Sequence, residues 1–163
     1  MTIRVFITGG TFDKEYNEIT GQLKFGDTHL QEMLSMGRCK IPVEIRTLMM
    51  IDSLEMKDSD RQIIFENVES CIENQVVITH GTDTMEVTAR YLGERIKDKT
   101  VVLMGAMIPI AFGSSDGLFN LGSAFAFAQS LPAGVYVVMN GRCFPWDNVT
   151  KNHELGEFET LNK

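Results

Sequence analysis

Five short strand-like segments, separated by segments with helical periodicity, constrain the fold of this chain more than any other feature. Four are apolar runs, over residues 4–8, 76–79, 100–104 and 135–139, and the last three are continuous and rich in β-branched residues, as is typical of strands buried on both faces of a sheet. The fifth, residues 43–48, follows Pro42 and alternates between apolar and polar residues, which also predicts a strand. Apolar residues spaced three and four apart predict helices between them, over residues 28–36, 60–73, 84–96 and 118–130.

A regular alternation of strands and helices predicts a parallel sheet, because right-handed crossovers return each strand to the same sheet with helices on both faces. We expect a doubly wound α/β fold of the flavodoxin or Rossmann type. The expected architecture is a three-layer sandwich around a mainly parallel five-stranded sheet, in which the strands, numbered along the chain, lie in the order 2-1-3-4-5. The stretch from Tyr16 to Phe25, around Thr20-Gly21, predicts a β-hairpin lid after strand one. The polar segment from Asn152 onward is expected to extend away from the sheet.

The apolar spacing predicts the buried faces of the helices, and the polar residues before each helix predict its cap. Thr28 is the expected cap of the first helix, and Asp58 or Ser59 that of the second. Residues expected to face the core are Ile64, Phe65, Val68 and Ile72 in the second helix, and Val87, Tyr91 and Leu92 in the third. The fourth helix is apolar nearly all round, with Leu121, Ala124, Phe125 and Ala128 in register. We expect it to pack on the sheet and also against a second copy of the chain.

Length and hydropathy place the chain among globular proteins. A chain of 163 residues has the size of one domain, and 44% hydrophobic with 23% charged residues excludes a disordered chain. No apolar run reaches the ~20 residues of a membrane helix, and the apolar start of the chain is too short for a signal peptide. We therefore expect a cytoplasmic protein with no membrane partner.

The ionisable residues exclude several partners and cofactors. Fifteen basic and twenty-two acidic residues give a net charge of −7, which disfavours binding to nucleic acid. The three cysteines form no CxxC pair and the three histidines no HExxH motif, so neither a disulfide framework nor a zinc site is predicted. Neither a GxGxxG nor a P-loop motif is present, which disfavours dinucleotide and nucleoside triphosphate binding. We expect no metal and no cofactor.

Polar residues follow each predicted strand at the point where it ends. Open α/β sheets bind their ligands at the carboxyl ends of the strands, so these residues are candidates for one site. The clusters are Thr8-Gly9-Gly10-Thr11, Asp52-Ser53, His80-Gly81-Thr82-Asp83-Thr84, Gly105-Ala106-Met107, and Asn140-Gly141 with Asp147, Thr150 and Lys151 behind it. This edge gathers hydroxyls, a carboxylate and an amine, which favours hydroxyl-centred chemistry.

The two most distinctive clusters each allow a structural and a functional interpretation. The glycines after strand one permit a tight exit from the strand, or they let a ligand approach the backbone and leave Thr11 exposed as a nucleophile. Asp83 or Thr84 can cap the next helix. Thr82 and Asp83, beside the N–H groups of a helix start, can also bind an anionic group or an oxyanion.

The remaining candidates also have two interpretations. We interpret His80 as a structural histidine rather than a general base. Lys151 is either an ordinary solvated lysine or an amine buried beside the residues of the third cluster, where its neutral form could take a proton from a hydroxyl. Asp52-Ser53 is a turn and cap signal as well as a candidate binding turn.

Together these motifs resemble the amino-terminal domain of the bacterial-type L-asparaginases. The resemblance rests on Thr8-Gly9-Gly10-Thr11, Asp52-Ser53, His80-Gly81-Thr82-Asp83-Thr84-Met85-Glu86, Gly105-Ala106-Met107, Ser115-Asp116-Gly117 with Asn120-Leu121, and Val149-Thr150-Lys151. It implies one domain over 1–163, without the family's smaller carboxyl-terminal domain. It also implies hydrolysis of L-asparagine, or of L-glutamine or a related small amide, to the acid and ammonia through a threonyl acyl-enzyme.

The resemblance implies a role for each motif residue. Thr11 is the expected nucleophile, Thr82, Asp83 and Lys151 form a second, triad-like cluster, and Tyr16 is the candidate lid tyrosine. Backbone N–H groups near Thr11 and Thr82 would bind the oxyanion. The substrate-binding residues are expected to be Gly10, Asp52, Ser53, Gly81, Thr82, Asp83 and Ala106, with Ser53 and Asp83 on the α-carboxylate and α-amino groups.

Two departures from the family pattern bear on rate and substrate choice. Ile108 precedes Pro109 where the family usually has arginine, and Glu55 stands where it commonly has aspartate. Two other functions therefore remain open, a non-catalytic amino-acid-binding relative and an ammonia-releasing subunit of a larger amidotransferase. The resemblance also implies a homodimer or tetramer, as does the apolar fourth helix.

Overall fold

The computed structural model describes residues 1–161 and contains ten strands and four helices in that range. The strands are β1 (Ile3–Gly9), β2 (Lys14–Asn17), β3 (Gln22–Phe25), β4 (Val43–Ile51), β5 (Gln75–Thr79), β6 (Thr100–Met104), β7 (Gly134–Met139), β8 (Arg142–Pro145), β9 (Thr150–Asn152) and β10 (Glu157–Glu159). The helices are α1 (Leu30–Met36), α2 (Asp58–Ser70), α3 (Met85–Gly93) and α4 (Gly117–Ser130), with short 3-10 turns at Thr11–Asp13 and Ile110–Phe112.

Six strands form the central sheet in the order β4-β1-β5-β6-β7-β8. The first five are parallel, so the doubly wound fold and the order 2-1-3-4-5 are confirmed. The sixth strand, β8, pairs antiparallel with β7 and was not predicted. It follows a tight turn in which Asn140 and Gly141 have φ angles of 50° and 80°, the conformation of a two-residue hairpin.

Alternate residues of the buried strands point into two apolar cores, one on each face of the sheet. Phe6, Val76 and Ile78 face the core under α2 and α3. Val5, Ile7 and Val77 face the core under α1 and α4. The three-layer arrangement follows, because each face of the parallel sheet is covered by the helices of its crossovers. Among the described residues, no helix is both long and apolar enough to cross a membrane.

Both predicted ends of α2 and part of the predicted buried face of α3 are wrong. Lys57 caps α2, and the Asp60 carboxylate accepts its N–H at 2.8 Å, so neither Asp58 nor Ser59 is the cap. The helix ends at Ser70, which leaves Ile72 beyond it and 91% exposed. In α3 the buried side is formed by Met85, Thr88, Ala89 and Leu92, whereas Val87 is exposed. By contrast, the predicted buried residues of α4, namely Leu121, Ala124, Phe125 and Ala128, all lie in the core.

Two hairpins flank the carboxyl edge of the sheet. The predicted lid is present, because β2 and β3 pair antiparallel, with Tyr16 opposite Leu23. The polarity of the segment after Asn152 predicted that it would extend away from the sheet, and this prediction is wrong. Instead β10 folds back on β9, Phe158 pairs with Lys151, and the Phe158 side chain is buried in the core under α3. Burial of Phe158 therefore anchors the β9–β10 hairpin against the sheet.

Candidate active site

Three loops meet at the carboxyl ends of β1, β4 and β5. We call them the TGGT loop (residues 8–11), the Ser53 turn (residues 52–56) and the HGTDT loop (residues 80–84). Gly10 has a φ angle of 83°, and a Cβ there would collide with the backbone of Gly81. A Cβ on Gly81 would in turn collide with the Ser53 side chain. These two glycines allow the three loops to touch, which brings the segments that carry Thr11, Ser53 and Thr82 together.

Lys151, Thr82 and Asp83 form a hydrogen-bonded group that we call the Lys151 cluster. Lys151 Nζ donates to Thr82 Oγ1 at 2.8 Å and to Asp83 Oδ1 at 2.6 Å. The Lys151 side chain is only 6% exposed, so the interpretation as an ordinary solvated lysine is wrong. A buried amine on a threonine hydroxyl can, when neutral, accept that hydroxyl's proton, and the neighbouring carboxylate stabilises the ammonium that forms.

The backbone of Lys151 is also held, by a residue that the sequence interpretation did not assign. Its N–H donates to the carboxylate of Glu86, in the first turn of α3. The side chain of Lys151 is thus bound by Thr82 and Asp83, just before α3, and its main chain is bound by Glu86 in the first turn of the same helix. Glu86 belongs to the motif quoted above, but its contact with β9 depends on how the β9–β10 hairpin folds back.

The Ser53 turn is hydrogen-bonded to the HGTDT loop, and Ser53 itself is buried. Ser53 is 2% exposed, and its carbonyl oxygen accepts from Thr84 Oγ1 at 2.7 Å. Asp52 is bound by Lys14 of the hairpin lid at 2.6 Å, and this hydrogen bond holds the pKa of Asp52 below its usual value. Lys14, which the sequence interpretation missed, therefore ties the lid to the Ser53 turn.

The hydroxyl groups of Thr11, in the TGGT loop, and Tyr16, in the hairpin lid, do not lie together. Thr11 is partly exposed, and its hydroxyl has no hydrogen-bond partner within residues 1–161, which leaves it available to a ligand. Tyr16 is 55% exposed, and its hydroxyl lies near Gly21 at the hairpin turn. The structure does not bring it to Thr11. Ala106 is 1% exposed and its side chain lies in the core under α1 and α4, so this side chain is not available to a substrate.

His80 is fully buried and both of its ring nitrogens are engaged. Nδ1 lies 2.7 Å from the carbonyl oxygen of Gly81, which can only accept, so Nδ1 carries the proton. Nε2 then accepts from Thr88 Oγ1 at 2.8 Å. Burial lowers the pKa of His80 to about 4, and the positive charge of Arg61 acts in the same direction. This neutral, fixed ring agrees with the interpretation of His80 as a structural histidine.

The buried imidazole predicts a stability that falls on acidification. In the unfolded chain His80 has its ordinary pKa of ~6.5, so between that value and about 4 the unfolded state binds more protons. The free energy of unfolding should therefore decrease as the pH falls through this window, by about 3 kcal/mol in total, and should keep this contribution above it. Urea unfolding across the window measures the slope. A His80→Asn variant should show a shallower slope, and equal slopes would contradict the assignment.

No cluster of three histidine, cysteine, aspartate or glutamate side chains suited to a metal ion occurs in the range 1–161. The segments brought together at this edge carry Thr11, the Lys151 cluster and the buried Ser53. A nucleophilic hydroxyl, a proton acceptor and backbone N–H groups are what acyl transfer requires.

Comparison with known proteins agrees with this arrangement. Residues 2–162 match the family model described as "Asparaginase, N-terminal". The L-asparaginase of Thermococcus kodakarensis is 30% identical over 99% of this chain, which covers 52% of that protein. L-asparaginase 1 of Escherichia coli is 33% identical over 95% of the chain, which covers 48% of that protein.

Solved structures show the same fold. The thermostable L-asparaginase from Thermococcus kodakarensis has a TM-score of 0.88 at 29% identity, over 100% of this chain and 52% of its own. A probable cytoplasmic L-asparaginase from Campylobacter jejuni has a TM-score of 0.84 at 32% identity, over 98% of this chain and 53% of its own. The chain spans about half the length of the relatives that it matches.

Proposed function

We propose that this chain, which belongs to the asparaginase family, hydrolyses the side-chain amide of L-asparagine to aspartate and ammonia. The observation that carries the proposal is the Lys151 cluster at the HGTDT loop, with its buried amine, against which the TGGT loop packs. We propose that residues 1–163 act as one domain of the asparaginase amino-terminal type. The similarity to a probable cytoplasmic L-asparaginase from Campylobacter jejuni supports a cytoplasmic location.

In the acylation step, the Thr11 hydroxyl attacks the carbonyl carbon of the amide. The bond from Thr11 Oγ to this carbon forms, the carbon–nitrogen bond breaks, and the hydroxyl proton leaves with the nitrogen as ammonia. Backbone N–H groups beside Thr11 and Thr82 stabilise the negative oxygen of the tetrahedral intermediate. The product is a threonyl ester of aspartate.

In the deacylation step, a water molecule attacks the ester carbon. Thr82 passes the water proton to neutral Lys151, whose ammonium form is stabilised by Asp83. The bond to Thr11 Oγ breaks and this oxygen takes up the proton from the Lys151 ammonium, which returns Lys151 to its neutral form, so one amide and one water give one acid and one ammonia. The 2.8 Å and 2.6 Å contacts of Lys151 support this route.

The substrate is held by the three loops that converge on the site. Ser53 and Asp83 bind its α-carboxylate and α-amino groups, and Gly10, Gly81 and the backbone of Ala106 line the space between them. Asp52 acts through its ion pair with Lys14, which keeps the hairpin lid on the Ser53 turn. We propose that Tyr16 approaches Thr11 through movement of the lid.

The experiment is ammonia release by the purified chain from L-asparagine, L-glutamine and simple amides, with L-asparagine binding measured by calorimetry. The proposal predicts ammonia from L-asparagine, and the other amides define the specificity. Binding without ammonia would favour a non-catalytic amino-acid-binding protein. Ammonia only when a partner chain co-purifies would favour a subunit of a larger amidotransferase.

We propose that the chain works as a homodimer or tetramer built on the outer side of α4. Phe119 is 62% exposed there, whereas Phe125 lies in the core and does not test an interface. A Phe119→Glu variant is expected to lower the assembly to a monomer and to reduce both stability and activity, since it places a charge in an apolar contact. Light scattering measures the change. A wild-type monomer of 18.3 kDa that hydrolyses asparagine would contradict the interface.

A further inference from the structure

We infer that Arg61 is a positioning residue that joins the Ser53 turn to the HGTDT loop and so holds the two halves of the asparagine site in register. The inference rests on the proposed function, because it concerns the loops that would bind the substrate and carry the Lys151 cluster. Arg61 lies on α2, outside every motif described above.

The Arg61 guanidinium is buried and its donors reach three segments of the chain. The residue is 5% exposed. Its Nε donates to Thr88 Oγ1 at 3.0 Å, and its Nη2 to Thr84 Oγ1 at 3.3 Å. Its Nη1 donates to the carbonyl of Met56 at 3.3 Å and to the exposed carboxylate of Asp58 at 3.1 Å. A buried charge is costly unless its hydrogen bonds are made, so this pattern fixes the positions of its partners.

One branch of the network holds the Ser53 turn. The Thr84 hydroxyl has a single proton, which it donates to the Ser53 carbonyl at 2.7 Å. It therefore accepts from Arg61, which can only donate. Because Arg61 also binds the Met56 carbonyl, it holds the turn at both ends. Loss of this branch should loosen Ser53, which is proposed to bind the α-carboxylate or α-amino group of the substrate.

The other branch holds the HGTDT loop. Thr88 Oγ1 accepts from Arg61 and donates to His80 Nε2, and His80 Nδ1 donates to the Gly81 carbonyl. The direction of these hydrogen bonds follows from the two ends of the network, because the guanidinium can only donate and the Gly81 carbonyl can only accept. Gly81 immediately precedes Thr82. Loss of this branch should loosen Thr82, the proposed proton relay, rather than the Ser53 contact with the substrate.

The two branches predict separate kinetic effects on asparagine hydrolysis. Thr84→Val should raise KM about tenfold and change kcat little, whereas Thr88→Val should lower kcat about tenfold and change KM little. Arg61→Met should show both effects, and Arg61→Lys should recover part of each because it keeps the charge and one or two of the donors. Urea unfolding of each variant shows how much folded protein is present.

The matched control is Arg4→Met. Arg4 lies near the amino end of β1, away from the site, and forms a two-point ion pair with the buried Glu73 at 3.0 Å and 2.8 Å. This variant should lose stability without changing kcat or KM. An Arg61→Met enzyme that matches Arg4→Met in kcat and KM would overturn the inference.

A second readout does not depend on turnover. Nitrogen NMR of the wild-type chain should show His80 protonated on Nδ1 alone. Arg61→Met should keep this tautomer, because the Gly81 carbonyl still accepts from Nδ1, but it should shift the Nε2 resonance, because Thr88 is then free to turn its hydroxyl. An unchanged Nε2 resonance in Arg61→Met would also overturn the inference. Absence of ammonia release by the wild type would instead overturn the proposed function, so the two failures are distinguishable.

Discussion

Ammonia release from L-asparagine should fall to the buffer background when Thr11 is replaced by Val. Valine keeps the shape of threonine and removes the hydroxyl, so no acyl ester can form, and we expect a loss of roughly 10⁴-fold in kcat. The fold should be kept, because Thr11 is partly exposed and its hydroxyl has no partner within residues 1–161. A coupled assay for ammonia, with calorimetry of L-asparagine binding, measures both points.

Thr11→Ser is the matched control for this variant. It keeps a hydroxyl at the same backbone position and should retain measurable hydrolysis, while Thr11→Val retains only binding. Unchanged turnover in a folded Thr11→Val protein would move the nucleophile elsewhere, and Thr82 would be the first residue to test.

The second large effect is expected at Lys151. Lys151→Met keeps the length of the side chain but removes the proton acceptor, and we expect kcat to fall by roughly 10³-fold. Thr82→Val and Asp83→Asn should each cost most of the activity as well. Because the three residues act as one unit, combined variants should be little worse than Lys151→Met alone.

Lys24→Met, on the exposed side of the hairpin lid, serves as the control for the loss of a lysine. It should leave kcat within about twofold of the wild type, because an exposed charge outside the site contributes little. Near-normal kcat in Lys151→Met, or fully additive losses in the combined variants, would show that the Lys151 cluster does not act as the proton acceptor.

The central strands were predictable because burial on both faces requires continuous apolar residues, and that requirement is visible in the sequence. β8 was missed because it has only four residues and ends at Pro145. Its signal was the Asn140-Gly141 turn, which is typical of a hairpin rather than of a crossover.

Helix ends and faces were less predictable because they depend on tertiary contacts. The cap of α2 is Lys57, whose N–H is satisfied by a side chain three residues later, and lysine is not a residue that suggests a cap. The buried side of α3 includes Thr88, which is polar and is retained there by its bonds to His80 and Arg61. Apolar spacing alone cannot show a buried hydroxyl of this kind.

The site itself was only partly readable from the sequence. The motif residues meet because the carboxyl ends of parallel strands share one edge of the sheet, and their order along the chain is enough to predict that. Lys14, Glu86 and Arg61 were not assigned, since their contacts depend on how the lid, the β9–β10 hairpin and α2 are oriented against these loops. The role of each of the three therefore became apparent only from the structure.

The most direct test of the central claim, amide hydrolysis through an acyl-enzyme, is partitioning between water and hydroxylamine. Two substrates with different leaving groups, L-asparagine and the β-methyl ester of aspartate, are given to the chain with a fixed concentration of hydroxylamine. One common acyl-enzyme predicts the same ratio of aspartate β-hydroxamate to aspartate from both. Different ratios from the two substrates, or no hydroxamate and no aspartate from either, would contradict the account.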